Sequence, residues 1–252
     1  MDLQLKGKIA VVTGASIGLG NMIARMLAAE GCRVAVVARR TALLESLADE
    51  IAKAGGERPL VITQDICAGG AAERIHKLVM ERYGRCDILV NNAGASHPIT
   101  GFGTDEEWEQ SMLLNFSAGR RITHAFIPEM QKHKFGRVIS LTGSDEPLGL
   151  NSANPPNGAV HIWSKALSRL VAKDNITVNS IPPGRIHSEQ IDTRIMPTPE
   201  SRKAWVEQYC PAGYVGEPQD LAVLVVFLSS PLARYINGQV IHVDGSARRS
   251  PH

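Results

Sequence analysis

Residues 13–20 read Thr13-Gly14-Ala15-Ser16-Ile17-Gly18-Leu19-Gly20, and the chemistry of that pattern is to cradle a phosphate. Glycines at these spacings let the backbone approach a pyrophosphate. A helix that begins here adds free N–H groups and the positive end of its dipole. The preceding run Ile9-Ala10-Val11-Val12 is apolar without polar alternation, as in a strand covered on both faces. Residues 21–29 have a helical composition. Strand, glycine turn and helix, placed near the start of a βαβ unit, point to a dinucleotide site. A tight turn of any α/β protein is the plainer alternative, and residues further along the chain bear on the choice.

The elements that must position this turn recur along the chain. Apolar strand-like runs fall at 9–13, 34–38, 60–63, 88–91, 138–142, 176–181 and 240–243, with helical stretches between them that include 43–54, 71–83, 106–130 and 220–228. Repeated βα units predict an α/β protein: a Rossmann-type doubly wound parallel sheet of about seven strands with helices on both faces. The Pro- and Asn-rich stretch 151–158 and the segment 182–199 read as loops near the site. At 252 residues, with no composition shift, the chain reads as one domain over 1–252. A net charge of +2 gives no footprint for nucleic acid or a membrane surface, and no apolar stretch is long enough to span a bilayer. The N-terminus lacks the charged and apolar regions of a signal peptide. Cys32, Cys67, Cys86 and Cys210 form no CxxC pair, so no metal site is expected; Cys32 and Cys86 border strands as small core residues. A reducing cytoplasm is the natural compartment.

Further segments then fall into place. Asn91-Asn92-Ala93-Gly94 follows the fourth candidate strand, Asn115 sits within Leu114-Asn115-Phe116, Asn179 opens a segment ending in Pro183-Gly184, and residues 238–245 read Gly-Gln-Val-Ile-His-Val-Asp-Gly. In this order, over essentially the whole length, the chain resembles the short-chain dehydrogenase/reductase family. The resemblance implies a nicotinamide dinucleotide cofactor and a small-molecule substrate. It implies that Thr13, Gly14, Ser16, Ile17, Gly18 and Gly20 form the cofactor turn and that Asp65 and Ile66 meet adenine. Asn92, Ala93 and Gly94 would steady the sheet beside the cofactor. Pro183, Gly184, Ile186 and Ser188 would meet the nicotinamide carboxamide, and Asn115 would be the active-site helix asparagine. It also implies a homodimer or homotetramer, or pairing with an active relative, through helices around 106–130 and 160–173.

Charge at the end of the second strand selects the cofactor. An acidic residue there would bond the ribose diol of NAD and repel a 2′-phosphate. Ala38 stands in its place, followed by Arg39 and Arg40, whose guanidinium groups suit a phosphate; NADP(H) is favoured over NAD(H). Ile17, where many NADP-using relatives carry arginine, argues the other way.

The chain departs from the resemblance where the chemistry is done. The family uses a serine, a tyrosine and a lysine four residues after the tyrosine. Tyr83, Tyr209, Tyr214 and Tyr235 are the only tyrosines, and none lies between the fifth and sixth strands. His161-x-x-x-Lys165 is a tempting substitute, since histidine serves as a general acid or base. Register argues against it. Trp163 to Asn179 reads without a gap as the second half of the family's long helix and its next strand. Lys165 then lies more than two turns past the lysine position, and ten residues span roughly 15 Å of helix axis. On this register the tyrosine and lysine positions fall within Ala153-Asn154-Pro155-Pro156-Asn157, which offers neither a phenol nor a cation. The two prolines place the helix start at Asn157 or later.

Gly143 falls at the serine position; Ser144 beside it, or Thr142, is a candidate donor to a substrate carbonyl. Asp145 and Glu146 are either a replacement acid raised by burial or a solvated loop. His97 and His187 lie in loops bordering the pocket. Arg185, Arg194 and Arg202 either meet an acidic substrate or face solvent. Two functions follow: an NADP(H)-dependent oxidoreductase for a small carbonyl, alcohol or enoyl substrate with altered acid/base residues, or a catalytically inactive NADP(H)-binding homologue acting as partner subunit or redox sensor.

Overall fold

The computed structural model describes residues 1–250 apart from His97, Asp145, Pro147 and Leu148. Its strands are β1 (Ile9–Thr13), β2 (Arg33–Ala38), β3 (Leu60–Thr63), β4 (Ile88–Asn91), β5 (Gly136–Leu141) and β6 (Ile176–Ile181). Its helices are α1 (Gly18–Ala29), α2 (Thr41–Lys53), α3 (Ala71–Tyr83), α4 (Asp105–Met112), α5 (Ala118–His133), α6 (Asn154–Val171), α7 (Pro199–Tyr209) and α8 (Pro218–Ser229).

Alternation along each strand builds two cores. Ala10, Val12, Val34, Val36, Ile88 and Val90 face α1, α2 and α8, whereas Ile9, Val11, Ala35, Val37 and Leu89 face α3, α5 and α6. Burial on both faces is why these strands carry no polar alternation. The six strands pair in the order β3-β2-β1-β4-β5-β6, and each pairing is parallel. The winding reverses between β1 and β4, so the carboxyl ends of these two strands open a crevice where ligands of doubly wound sheets bind.

Three expectations are corrected. The seventh strand does not form: residues 240–243 lie along β6, but only Ser180–Val240 and Pro183–Val243 pair. The cause is local. Ile241 donates to the Ser180 carbonyl and Val243 to that of Pro182, at 2.9 and 3.2 Å, yet Pro182 has no N–H to return to Ile241. Second, α6 begins at Asn154, not at Asn157 or beyond, with both prolines inside its first turn. The first N–H groups of a helix have no internal partner, so proline there forfeits no bond. Five of the eight residues of the 151–158 stretch are therefore helical, as is the end of 182–199, where a π-helical turn (Ile191–Ile195) precedes α7. Third, the helix over 106–130 is broken by a π-helical turn at Leu113–Ser117. Cys32 and Cys86 are buried core residues, and burial pushes the Cys32 thiol up to about 12. Among the described residues no helix is long and apolar enough to cross a membrane.

Candidate functional site

The crevice between β1 and β4 is closed from behind by one hydroxyl. Thr13 Oγ1 donates to the Val90 carbonyl at 3.3 Å and accepts the N–H groups of Asn92 and Ala93 at 3.1 and 3.2 Å. Asn92 Nδ2 returns the tie, donating to the carbonyls of Thr13 and Gly14 at 2.9 and 3.1 Å. That crossing needs Gly20, because a Cβ there would stand 2.4 Å from Asn92 Nδ2 and 2.5 Å from the Gly14 carbonyl oxygen. Thr13 and Gly20 thus hold the turn from outside, while Gly14, Ser16, Ile17 and Gly18 line a cleft of about 960 Å³. Gly14 and Gly18 adopt φ of +66° and +58°, values that favour glycine. No side chain caps the start of α1 and no acidic residue stands in its first turn. A cradle of this kind fits a phosphate.

One bank of the cleft is basic. Ala38, Arg39 and Arg40 line it beside Asp65 and Ile66. Arg40 donates to Ser16 Oγ at 3.3 Å and pairs with Glu189 at 3.0 Å. Glu189 comes from the segment after β6, so this pair crosses the cleft. Arg39 is exposed and, among the described residues, its side chain makes no hydrogen bond or ion pair. Asp65 caps its own turn, accepting the Cys67 N–H at 2.9 Å.

The middle is formed by Asn92, Ala93 and Gly94 facing Pro183, Gly184, Ile186 and Ser188. Asn115 lies on the π-helical turn between α4 and α5. Its Oδ1 accepts the Ala95 N–H at 2.9 Å, and its Nδ2 donates to the carbonyl and hydroxyl of Ser111, both at 3.1 Å. Such turns recur where a helix re-aims a side chain at a functional site.

The far wall carries Thr142, Gly143, Ala153, Asn154 and Asn157. A Cβ on Gly143 would sit 2.5 Å from Asn157 Nδ2, so the Asn157 amide occupies the space in front of that glycine. Behind the wall, His161 Nε2 lies 2.9 Å from Thr142 Oγ1. The imidazole is therefore one hydrogen bond from the cleft, nearer than register alone implies. Lys165 is elsewhere, packed against Gly238. Ser144 spends its hydroxyl on a local turn, donating to the Glu146 carbonyl at 3.1 Å and accepting its N–H at 3.2 Å. Glu146 lines the cleft, but its carboxylate accepts the Arg249 N–H at 2.8 Å and that of Ser250, with Arg248 Nε at 3.7 Å. It is a latch for the 247–250 segment. His187 turns to Asp192 at 2.7 Å and does not line the cleft. His97 and Asp145 lie outside the described residues.

The three arginines after β6 separate. Arg202 donates to the Met196 carbonyl at 2.9 Å and lies 3.7 Å from Asp192, and Arg194 is exposed. Arg185 lines the cleft, and burial holds its guanidinium below the ordinary arginine value. Sequence reasoning missed Glu189, Trp205, Tyr209 and residues 247–249 as cleft walls. Only the aromatic pair left a signal, since Trp205 and Tyr209 are four apart on α7 with ring centroids 6.2 Å apart.

Fold and cleft together define a doubly wound α/β protein with its ligand crevice at the switch point. The chain belongs to the short-chain dehydrogenase/reductase family: residues 14–246 match the family model described as enoyl-(acyl carrier protein) reductase. It is 33% identical over 247 residues to 3-oxoacyl-(acyl-carrier-protein) reductase FabG of Vibrio cholerae, covering 96% of this chain and 98% of that one. The same reductase of Escherichia coli is 34% identical over 248 residues, with the same coverage. Among solved structures, L-sorbose reductase of Gluconobacter frateurii complexed with NADPH and L-sorbose superposes with a TM-score of 0.94 at 30% identity, covering 99% of this chain and all (100%) of that one.

Proposed function

We propose that this chain is an NADP(H)-dependent oxidoreductase acting on a small carbonyl, alcohol or enoyl substrate, with acid/base residues that differ from the family's serine, tyrosine and lysine. The observation that carries this reading is the uncapped glycine turn beside Arg39 and Arg40, at a strand end where Ala38 leaves no carboxylate. The NADPH named for the L-sorbose reductase complex supports it. Gly14, Ser16, Ile17 and Gly18 would hold the pyrophosphate, and Arg39 and Arg40 the 2′-phosphate. Asp65 and Ile66 would meet adenine. Asn92, Ala93, Gly94, Pro183, Gly184, Ile186 and Ser188 would border the nicotinamide. A bound nicotinamide supplies or takes the hydride; the protein supplies orientation and the proton.

Residues 153–157 offer no phenol or ammonium group for that proton. Thr142 and His161 form the pair that can move it. The Thr142 hydroxyl gives its proton to the substrate oxygen and takes one from Nε2 of the protonated His161, which is left as neutral imidazole. Losing a well-placed acid costs about 10²–10⁴-fold, and a conjugated enoyl substrate needs the least help. The same absence at 153–157 favours, as the second reading, a homologue that binds NADP(H) without turning over. We also propose a homodimer or homotetramer: Ile162 and Leu170 stand exposed on α6, where pairing would cover them.

Titration with NADPH and, separately, NADH, followed by nucleotide fluorescence, tests the reading. Micromolar binding with NADPH preferred is expected. No binding of either overturns it, and binding without turnover across carbonyl and enoyl substrates selects the second reading.

A further inference from the structure

Arg185 is a partly buried cation on the cleft wall with no neutralising partner among the described residues. Among the described residues its side chain makes no hydrogen bond or ion pair. A guanidinium withdrawn from water costs free energy unless an anion answers it. Two carboxylates that line the same cleft are engaged elsewhere. Asp244 accepts the N–H groups of Ser246 and Arg248 at 3.0 and 2.9 Å, and Glu146 accepts those of Arg249 and Ser250. The backbone of Arg185 is fixed, because its carbonyl accepts the Gly216 N–H at 2.9 Å and Ile186 pairs with Gly216. Beside that pairing Val215 packs into an apolar cluster with Ile191, Ile195 and Trp205, and the last three also line the cleft.

We propose that Arg185 is an anion subsite, and that the substrate carries a carboxylate or phosphate group on an apolar body. This rests on the oxidoreductase reading for the identity of the ligand as substrate. The guanidinium meets the anion through charge-assisted hydrogen bonds, and the Ile191, Ile195 and Trp205 surface takes the hydrocarbon part. Arg194 and Arg202 have no share in it.

The test is calorimetric titration of the protein, with and without saturating NADP⁺, by hexanoate, hexyl phosphate and hexanamide. At least one anion is expected to bind about 10- to 100-fold tighter than the neutral amide, the range of a hydrogen bond to a charged group. Arg185→Gln should abolish that difference and Arg185→Lys should keep part of it, with NADP⁺ affinity unchanged in both. The better anion identifies the group. Equal binding of all three probes, no binding of any, or a preference that survives Arg185→Gln overturns the proposal. So does a tenfold loss of NADP⁺ affinity in Arg185→Gln, which would assign the guanidinium to the cofactor. If wild type fails to bind NADP⁺ yet keeps an Arg185-dependent anion preference, the oxidoreductase reading fails and the subsite stands.

Discussion

On the proposed reading, cofactor choice turns on Arg39, whose guanidinium on the basic bank has no partner among the described residues. Arg39→Ala should weaken NADPH by about 10- to 100-fold and leave NADH nearly unchanged, since only the phosphate loses a charged hydrogen bond; paired fluorescence titrations check this. Gly20 acts by what it lacks. In Gly20→Ala the new methyl meets Asn92 Nδ2 and the Gly14 carbonyl, so the tie between β1 and β4 must open. A stability loss of about 1–3 kcal/mol, with weaker binding of both nucleotides, is expected from urea unfolding and titration. Thr142→Val and His161→Gln should each lower kcat by about 10²–10⁴-fold with nucleotide affinity retained, if the pair carries the proton; kcat unchanged in both variants would remove them from the chemistry. Glycines and arginines were legible in the sequence because positive φ and fixed charge act locally. The Thr142–His161 bond was not, because it joins a strand end to the second turn of a helix. The capture of Glu146 by backbone groups about a hundred residues later left no local trace at all.

Among the elements, the strands were readable from their continuous apolar runs and the helix at 71–83 from its periodicity. What periodicity could not show was pairing. Residues 240–243 have a strand's composition, but a ladder needs donors from its neighbour, and Pro182 withholds one. The prolines of α6 and the π-helical turn that carries Asn115 show the same limit: composition marks a break, and only packing sets where the helix resumes. One junction between elements makes a pH prediction. At the end of α5, Lys134 and Gln131 both bond the Asp174 carboxylate ahead of β6. These bonds, the Lys134 one foremost, hold Asp174 below its ordinary value of 3.8. Stability from this tie is fully present above that ordinary value and is lost as pH falls through the lowered one. Asp174→Asn should therefore flatten the decline of stability below about pH 4, read from urea midpoints at pH 7 and pH 3.

At the scale of the whole molecule, the Arg40–Glu189 pair joins the two banks of the cleft, the cofactor turn to the segment that leads into α7. On the proposed reading, a 2′-phosphate competes with Glu189 for the same guanidinium. The pair is exposed and so is worth at most about 1 kcal/mol. Glu189→Gln should then tighten NADPH by about two- to fivefold and leave NADH unchanged; equal effects on both nucleotides would show that the pair holds shape alone. Turnover also needs departure. If Arg40 holds the 2′-phosphate as proposed, Glu189 reclaims the arginine as soon as the spent nucleotide loosens, which shortens the nucleotide's stay. Weakened product retention, and with it a faster cycle where release is limiting, is what the protein would then gain from a partner that opposes binding.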